Sequence, residues 1–301
     1  MHRYAQGGGG INSLTAISEL QGASDYTGER VDLVYLDVSN PNPLVMEGLR
    51  RLGFVESFHF WRRDMPTNVV LKYEDDRIIL KGHELRRQSP FDTDGERVKP
   101  YIEGSRALLI NGAKDSQYVE LWMQIAQQYK VPVLSAITPS LPWSFVYETI
   151  LPNSEVVVLN YEDLAESRGL KTAPDLDSKT LSQAYMAHAL ETLEEIRSKN
   201  PEKDVYITLG SNGVYCSSKE GIFHVTLNQD YVGRVAYTSN GNPGAGDYFF
   251  GAVGFLEATR IGLSIIEKAK KGSEIALRHI GYWGPLDFHV QEVSRSTLIP
   301  T

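Results

Sequence analysis

Between residues 106 and 160 the sequence alternates between short apolar runs and longer amphipathic segments. The strand-length runs are Ala107 to Asn111, Val131 to Ile137 and Val156 to Asn160, and the helical patterns are Ser116 to Tyr129 and Trp143 to Leu151. Strands joined by crossover helices form a parallel sheet that is covered on both faces. The alternation therefore predicts an α/β fold, in which ligands gather at the carboxyl ends of the strands.

The segments before and after this region have different patterns. Val31 to Val38 has strand length, and a turn and a short helix are expected over 40–43 and 44–52. Strand patterns then follow at Val55 to Phe60, Thr67 to Tyr73 and Arg77 to Leu80, without helices between them. Consecutive strands predict a small projecting sheet, about residues 54–81, in the position of a lid.

The second half of the chain predicts a long helix, a strand with two hairpin arms, and a final helix. These are Asp175 to Lys199, Val205 to Leu209, Val214 to Ser217, Ile222 to Leu227 and Ile265 to Ile280. His188 lies on the apolar face of the long helix, where a core residue with a hydrogen-bond partner is expected. We find no internal repeat and no linker, so a single domain over 1–301 is predicted.

The stretch Gly241 to Val253 reads GNPGAGDYFFGAV and combines bare backbone, a carboxylate and an apolar run. A helix that begins near Gly244 presents amides without intrahelical partners at its positively polarised end, which attracts phosphate. Asp247 would lie in the first turn, beside that anion. Phosphoryl transfer needs donors for the moving group and a carboxylate for the proton of the alcohol. The alternative is a glycine-rich turn in which Asp247 only caps the helix.

Composition limits the possible functions. The 301 residues carry a formal charge of -8 and contain one cysteine, Cys216. The charge argues against nucleic acid as the main partner, and the cysteine fits a reducing compartment. Because no apolar run has the length of a membrane span or a signal peptide core, we expect a soluble, cytoplasmic protein with no membrane partner. The seven histidines lack metal-ligand spacing.

Three other polar stretches fall where the predicted elements begin or end. Gly7-Gly8-Gly9-Gly10-Ile11-Asn12 precedes a helix from Ser13 to Leu20, Asn160-Tyr161-Glu162-Asp163 follows a strand, and Thr208-Leu209-Gly210-Ser211-Asn212-Gly213 ends another strand. Each also has a structural interpretation, respectively a flexible terminus, a helix cap and a hairpin turn. Their positions at one sheet edge favour a ligand site.

In this order, these stretches and Gly244-Ala245-Gly246-Asp247 resemble the motifs of the ribokinase-like (PfkB) carbohydrate kinases, from residue 7 to about residue 285. The resemblance implies a three-layer α/β/α fold with a central, mostly parallel sheet and a small β-lid. It also implies ATP and Mg²⁺ as cofactors, a small-molecule substrate and a homodimer through the lid.

The resemblance also implies a role for each matching residue. Asp247 would be the catalytic base, with an anion hole at Gly244, Ala245 and Gly246. The nucleotide would contact Asn160, Thr208, Gly210 and Gly213, and the substrate Gly8, Gly9 and Asn12. Asn160 and Asp163 would hold the metal through water, with Asp163 in place of the usual Glu.

The chain departs from the family pattern at two places. The family has an Asp-Thr pair where this chain has Gly241 and Asn242, which puts potassium dependence in doubt. The family's opening strand, which ends in a substrate-binding Asp, has no counterpart ahead of Gly7. Either the coding start lies further upstream, or the sheet lacks its first strand and the site lacks a carboxylate.

The leading hypothesis is ATP-dependent phosphorylation of a hydroxyl of a sugar, polyol or nucleoside. The alternative is a catalytically degenerate member that binds a small metabolite or nucleotide as a sensor or partner protein. A dinucleotide-dependent dehydrogenase is less consistent with the sequence, because no G-x-G-x-x-G opens a βαβ unit.

Overall fold

The computed structural model describes the elements that build the central sheet and its helices. The described residues are 9–22, 34–37, 56–59, 69–73, 76–80, 99–111, 116–137, 141–169, 178–228, 244–259, 262–282, 284 and 286–294. Several expectations lie outside this set, including the turn over 40–43, the helix over 44–52 and the absence of a strand ahead of Gly7.

The described elements are eleven strands and seven longer helical segments. The strands are β1 (Val34–Asp37), β2 (Glu56–His59), β3 (Val69–Tyr73), β4 (Asp76–Leu80), β5 (Leu108–Ile110), β6 (Val133–Ala136), β7 (Val156–Asn160), β8 (Asp204–Thr208), β9 (Val214–Ser218), β10 (Gly221–Leu227) and β11 (Phe288–Glu292). The helices are α1 (Gly9–Gly22), α2 (Ser116–Tyr129), α3 (143–153, with a central π-helical turn), α4 (Tyr161–Ser167), α5 (Ser178–Lys199), α6 (Ala245–Ala258) and α7 (Ile265–His279). A helical turn over 99–103 precedes β5.

The main sheet has seven strands in the order β11-β10-β9-β8-β7-β6-β5. Strands β5, β6, β7 and β8 run parallel to one another. The pairs β8-β9, β9-β10 and β10-β11 are antiparallel. The described sheet is therefore evenly mixed, whereas a mostly parallel one was expected. The turns after β8 and β9 are too short to hold crossover helices, which accounts for two of the three antiparallel pairs.

Two smaller sheets lie outside the main one. The pair β3-β4 is antiparallel, with Tyr73 opposite Asp76, as the sequence pattern predicted. Strand β2, however, pairs in parallel with β1 rather than with β3. Among the described residues, the predicted lid of 54–81 therefore divides into a β3-β4 hairpin and a strand that belongs with β1. The function of this region as a lid remains a prediction.

Alternate residues of the central strands enter two different cores, as expected for a sheet covered on both faces. Val157 and Leu159 of β7 lie in a cluster with residues of α2 to α5. Val156 and Val158 lie in a second cluster with Phe250 of α6 and residues of α7. The architecture is therefore three-layered, and none of the described helices is long and apolar enough to cross a membrane.

Helix α1 packs against α6 at very short range. A Cβ added to Gly251 of α6 would lie 2.2 Å from the carbonyl oxygen of Ser13, so only glycine allows this approach. Around the contact, α1 contributes Ala16, Ile17 and Leu20 to an apolar cluster with α6. The contact fixes the position of α1, and therefore of Asn12 and Ser13, relative to the start of α6.

We expect Gly251→Ala to lower the free energy of unfolding by about 2 kcal/mol, because the new methyl group meets backbone that cannot move aside. Gly254→Ala is the matched control: its Cβ meets the Leu109 side chain at 2.8 Å, and the gain in helix propensity is the same. Urea unfolding measures both variants. Equal stabilities would contradict the role of the α1-α6 contact.

A charged cluster lies at the amino end of β8, at the sheet edge opposite the carboxyl ends of the parallel strands. The Lys268 ammonium of α7 pairs with Glu257 of α6 and lies 3.8 Å from the Asp204 carboxylate. Burial, and then the charge of Glu257, raises the pKa of Asp204 to about 6, although Lys268 opposes the shift. The folded chain therefore binds this proton more tightly than the unfolded chain, in which an Asp has a pKa near 3.9.

Asp204 consequently disfavours folding as the pH rises from about 4 to about 6, and its full cost is present above that window. We expect the free energy of unfolding of Asp204→Asn, relative to that of the wild type, to be higher at pH 7 than at pH 4. The difference between the two pH values should be roughly 1–2 kcal/mol. Urea unfolding at both pH values measures this difference. A pH-independent difference between the two proteins would contradict the assignment.

Candidate active site

Helix α6 begins beside the carboxyl edge of the sheet. Its N-cap, Gly244, has φ 103° and ψ -2°, and Asp247 lies in the first turn. The Gly244 carbonyl accepts the first helical hydrogen bond from the Tyr248 amide, at 3.0 Å. By the geometry of any α-helix, the preceding amides lack carbonyl partners within the helix, and this end is positively polarised.

Two asparagines hold the Asp247 carboxylate. Asn12 of α1 donates from Nδ2 to Oδ2 at 3.0 Å, and Asn111, immediately after β5, donates from Nδ2 to Oδ1 at 3.1 Å. The Ser13 hydroxyl donates to the Asp247 main-chain carbonyl at 2.9 Å and accepts from Asn111 at 2.7 Å. Three elements that are distant in sequence therefore converge on one carboxylate.

Gly244 leaves the space that this arrangement needs. A Cβ on Gly244 would lie 2.4 Å from Nδ2 of Asn12 and 3.6 Å from Oδ2 of Asp247. Gly246 faces the next strand end, since its Cβ would lie 4.0 Å from Nδ2 of Asn160. The start of α6 thus lies between the Asn12-Asp247 pair and the end of β7.

Asn160 and Thr208 are register partners at the carboxyl ends of β7 and β8. The Asn160 side-chain oxygen accepts a hydrogen bond from the Glu162 amide at 2.8 Å and so caps α4. This bond accounts for the helix-cap interpretation, and it does not use the amide nitrogen of Asn160. One asparagine is thus compatible with both the cap and the ligand role.

A cleft of about 370 Å³ opens beside these strand ends. Its walls are formed by Asn160, Tyr161, Glu162, Tyr185, Met186, Thr208, Leu209, Gly210, Ser211 and Asn212. Gly210 has φ 60°, and a Cβ there would meet no atom within 4 Å, so the turn faces open space. The cleft therefore combines amide, hydroxyl and carboxylate groups with two aromatic rings.

Gly213 is predicted to contact the nucleotide with Gly210, but it is not among the residues that line the cleft. It has φ 87°, and its Cβ would lie 2.3 Å from the carbonyl oxygen of Val225 on β10. Glycine is required here for the packing of the turn against the sheet. His224 supports the same turn, with Nε2 2.7 Å from the Asn212 carbonyl oxygen.

The aromatic wall of the cleft was not expected as part of a site. Tyr161 and Tyr185 have ring centroids 4.2 Å apart, and burial raises the pKa of Tyr161 to about 12. His188 lies behind them, edge-on to Tyr161. Its Nδ1 is buried without a hydrogen-bond partner among the described residues, in contrast to the expected pairing, and burial lowers its pKa.

The predicted metal ligands are only partly brought together. Asn160 lines the cleft, whereas the carboxylate on its wall belongs to Glu162 and not to the half-buried Asp163. Within the described residues, no group of three or more His, Cys, Asp or Glu side chains is arranged to hold a metal directly. Amide and carboxylate oxygens nevertheless suit Mg²⁺, which keeps several of its waters.

The remaining predicted substrate contacts are Gly8 and Gly9, and the family's Asp-Thr pair corresponds to Gly241 and Asn242. Gly8, Gly241 and Asn242 lie outside the described residues, and Gly9 is the first residue of α1. Asn111, like the aromatic wall of the cleft, is part of the site that sequence reasoning missed. The available signal was its position as the last residue of the predicted strand Ala107 to Asn111, where ligand-binding side chains are common.

The family of the chain follows from a family model that matches most of its length. The model of the pfkB family carbohydrate kinases matches residues 63–282. The chain belongs to the pfkB family of carbohydrate kinases. The resemblance drawn from the motifs is therefore confirmed.

Solved structures of similar fold span nearly the whole chain. A possible 1-phosphofructokinase from Thermotoga maritima is 16% identical, with a TM-score of 0.67 over 98% of this chain and 92% of that one. Apo adenosine kinase from Trypanosoma brucei brucei is 17% identical, with a TM-score of 0.64 over 93% and 83%. The tetrameric inhibited form of phosphofructokinase-2 from Escherichia coli is 15% identical, with a TM-score of 0.59 over 92% and 86%. At these low identities the structural similarity shows the fold alone. No curated protein matches the sequence.

Proposed function

We propose that this pfkB family member transfers the γ-phosphoryl group of ATP to a hydroxyl of a sugar, polyol or nucleoside. The observation that carries the proposal is the placement of Asp247. Its carboxylate lies in the first turn of α6, is held at both oxygens by side-chain amides, and adjoins the strand ends that border the cleft. The proposed base, Asp247, thus lies beside a positively polarised helix end.

Asp247 has the role of general base in this proposal. Its carboxylate accepts the proton as the alcohol oxygen bonds to the γ-phosphorus, and the bond from that phosphorus to the β-γ bridging oxygen breaks to leave ADP. The amides of Ala245, Gly246 and Asp247 donate to the oxygens of the moving group. Because the transition state is loose, positioning and electrostatic stabilisation account for most of the catalysis.

The cleft beside β7 and β8 is proposed to hold part of the nucleotide and its metal. The backbone of Gly210 faces open space, and Thr208 and Asn160 present polar atoms at the strand ends. Mg²⁺, when bound, would neutralise charge on the phosphates. Asn160 would orient its waters, with Asp163 as predicted from the motif or with Glu162, whose carboxylate lines the cleft.

The test is ADP release from MgATP with a panel of sugars, polyols and nucleosides, with product mass showing the gain of one phosphoryl group. We expect one class to be phosphorylated and EDTA to abolish the reaction. Nucleotide binding by calorimetry without ADP release for any alcohol would contradict the kinase and favour the sensor hypothesis. That hypothesis otherwise rests on the departures of the sequence from the family pattern.

Two further predictions concern organisation. The whole chain is proposed to form one domain, and two copies are proposed to associate through the lid, about residues 54–81. Sedimentation velocity at several concentrations measures the association. A chain that stays monomeric at micromolar concentrations would contradict the dimer without affecting the proposed chemistry.

A further inference from the structure

Asn111 makes two contacts that together use its side-chain amide group. An asparagine NH₂ has two hydrogens to donate. One donor interaction reaches Oδ1 of Asp247 at 3.1 Å, and the other reaches the hydroxyl oxygen of Ser13 at 2.7 Å. The Ser13 hydroxyl in turn donates to the main-chain carbonyl of Asp247, so Asn111 is linked to both ends of the same residue.

The carboxylate of an aspartate rotates easily, because its terminal torsion is broad and roughly two-fold. A single donor at one oxygen leaves much of this freedom. Asn12 holds Oδ2 from α1, whereas Asn111 holds Oδ1 from the end of a sheet strand. Donors on opposite sides fix the plane of the carboxylate.

We propose that Asn111 is a positioning residue for phosphoryl transfer, which sets the orientation of the Asp247 carboxylate without contacting the reacting atoms. This inference rests on the proposed function. An ionised carboxylate has about four lone-pair sites, so each oxygen keeps a site for the hydroxyl of the substrate after accepting one amide. Because the amides are neutral, they orient the carboxylate without introducing an opposing formal charge.

The competing explanation is that Asn111 only fills space and ties α1 to the sheet through Ser13. The two explanations predict different orders of activity for two substitutions. Asn111→Asp keeps the volume of the side chain but replaces a donor by a negative charge facing Asp247. Asn111→Ala removes both the volume and the donor. Space filling favours Asp over Ala, and positioning of a carboxylate favours Ala over Asp.

The experiment measures kcat and the KM for MgATP with the best alcohol of the panel, for wild type, Asn111→Ala, Asn111→Asp and Ser13→Ala. We expect Asn111→Ala to lower kcat by about 10- to 100-fold, with the KM for MgATP within about twofold, and Asn111→Asp to be worse. Ser13→Ala, which keeps both amides that face the carboxylate, should lose less than Asn111→Ala. A kcat for Asn111→Asp equal to or above that of Asn111→Ala overturns the inference.

A second readout does not depend on turnover. In protein labelled with ¹⁵N at asparagine, the side-chain amide signals of Asn111, assigned with Asn111→Ala, should shift when Asp247 is replaced by alanine. Unshifted signals overturn the inference even if no substrate is found. A wild type that phosphorylates nothing contradicts the proposed function alone, and the shift then still decides whether Asn111 holds the carboxylate.

Discussion

Asp247→Ala is expected to lower kcat by about 10²- to 10⁴-fold while the affinity for ATP changes by no more than a few-fold. The substitution removes the proposed proton acceptor. It leaves in place the backbone amides at the start of α6 and the cleft residues at the ends of β7 and β8. ADP release measures kcat, and isothermal titration calorimetry measures ATP binding.

Glu120→Ala is the control, because in the part of the chain that the structure describes this exposed carboxylate of α2 accepts one long hydrogen bond, from Gln124 at 3.4 Å. It should keep wild-type turnover. Near-normal phosphorylation by Asp247→Ala would show that another group accepts the proton. A parallel loss of ATP binding would show instead that Asp247 supports the structure of the nucleotide site.

Gly244→Ala is expected to lower kcat by about 100-fold, with a smaller effect on stability. A methyl group there would lie 2.4 Å from the Asn12 amide nitrogen, so Asn12 must leave Asp247 or the start of α6 must shift. A displacement of about 1 Å of a catalytic group can cost this much activity. The positive φ of 103° adds strain of about 1–3 kcal/mol.

Gly281→Ala is the control, because it introduces backbone strain at a positive φ without a steric clash. Gly281 follows α7, has φ 86°, and its added Cβ would meet no atom within 4 Å. This variant should lose about 1 kcal/mol of stability and keep its turnover. Equal losses of activity in the two variants would show that Gly244→Ala acts through general destabilisation and not through the local geometry around Asp247.

The alternation of strand and helix patterns was sufficient to predict β5 to β8 and the helices α2, α3 and α5, because strands buried on both faces are nearly uninterrupted apolar runs. The short helix α4 was not predicted. Val156–Asn160 has the same bounds in sequence and structure. The helix start at Ala245 also follows from sequence, since the glycines and Asp247 are typical of such an end. The sequence therefore predicted those elements whose position depends on neighbouring residues in the chain.

Features that depend on long-range pairing could not be predicted in this way. The contact between Asn111 and Asp247 joins residues that are 136 positions apart. Strand β11 was missed because its alternation of Phe288 and Val290 with polar residues is confined to a strand of five residues, none of them fully buried. The parallel pairing of β1 with β2 was also missed, because strand patterns alone do not determine the partner.

The most direct test is a crystal structure with ADP, aluminium fluoride, Mg²⁺ and the accepted alcohol, which together mimic the group in transit. The metal fluoride should accept hydrogen bonds from the amides of Ala245 to Asp247, with the alcohol oxygen within hydrogen-bond distance of an Asp247 carboxylate oxygen. A fluoride bound away from the first turn of α6, or an alcohol oxygen beyond reach of Asp247, would contradict the account.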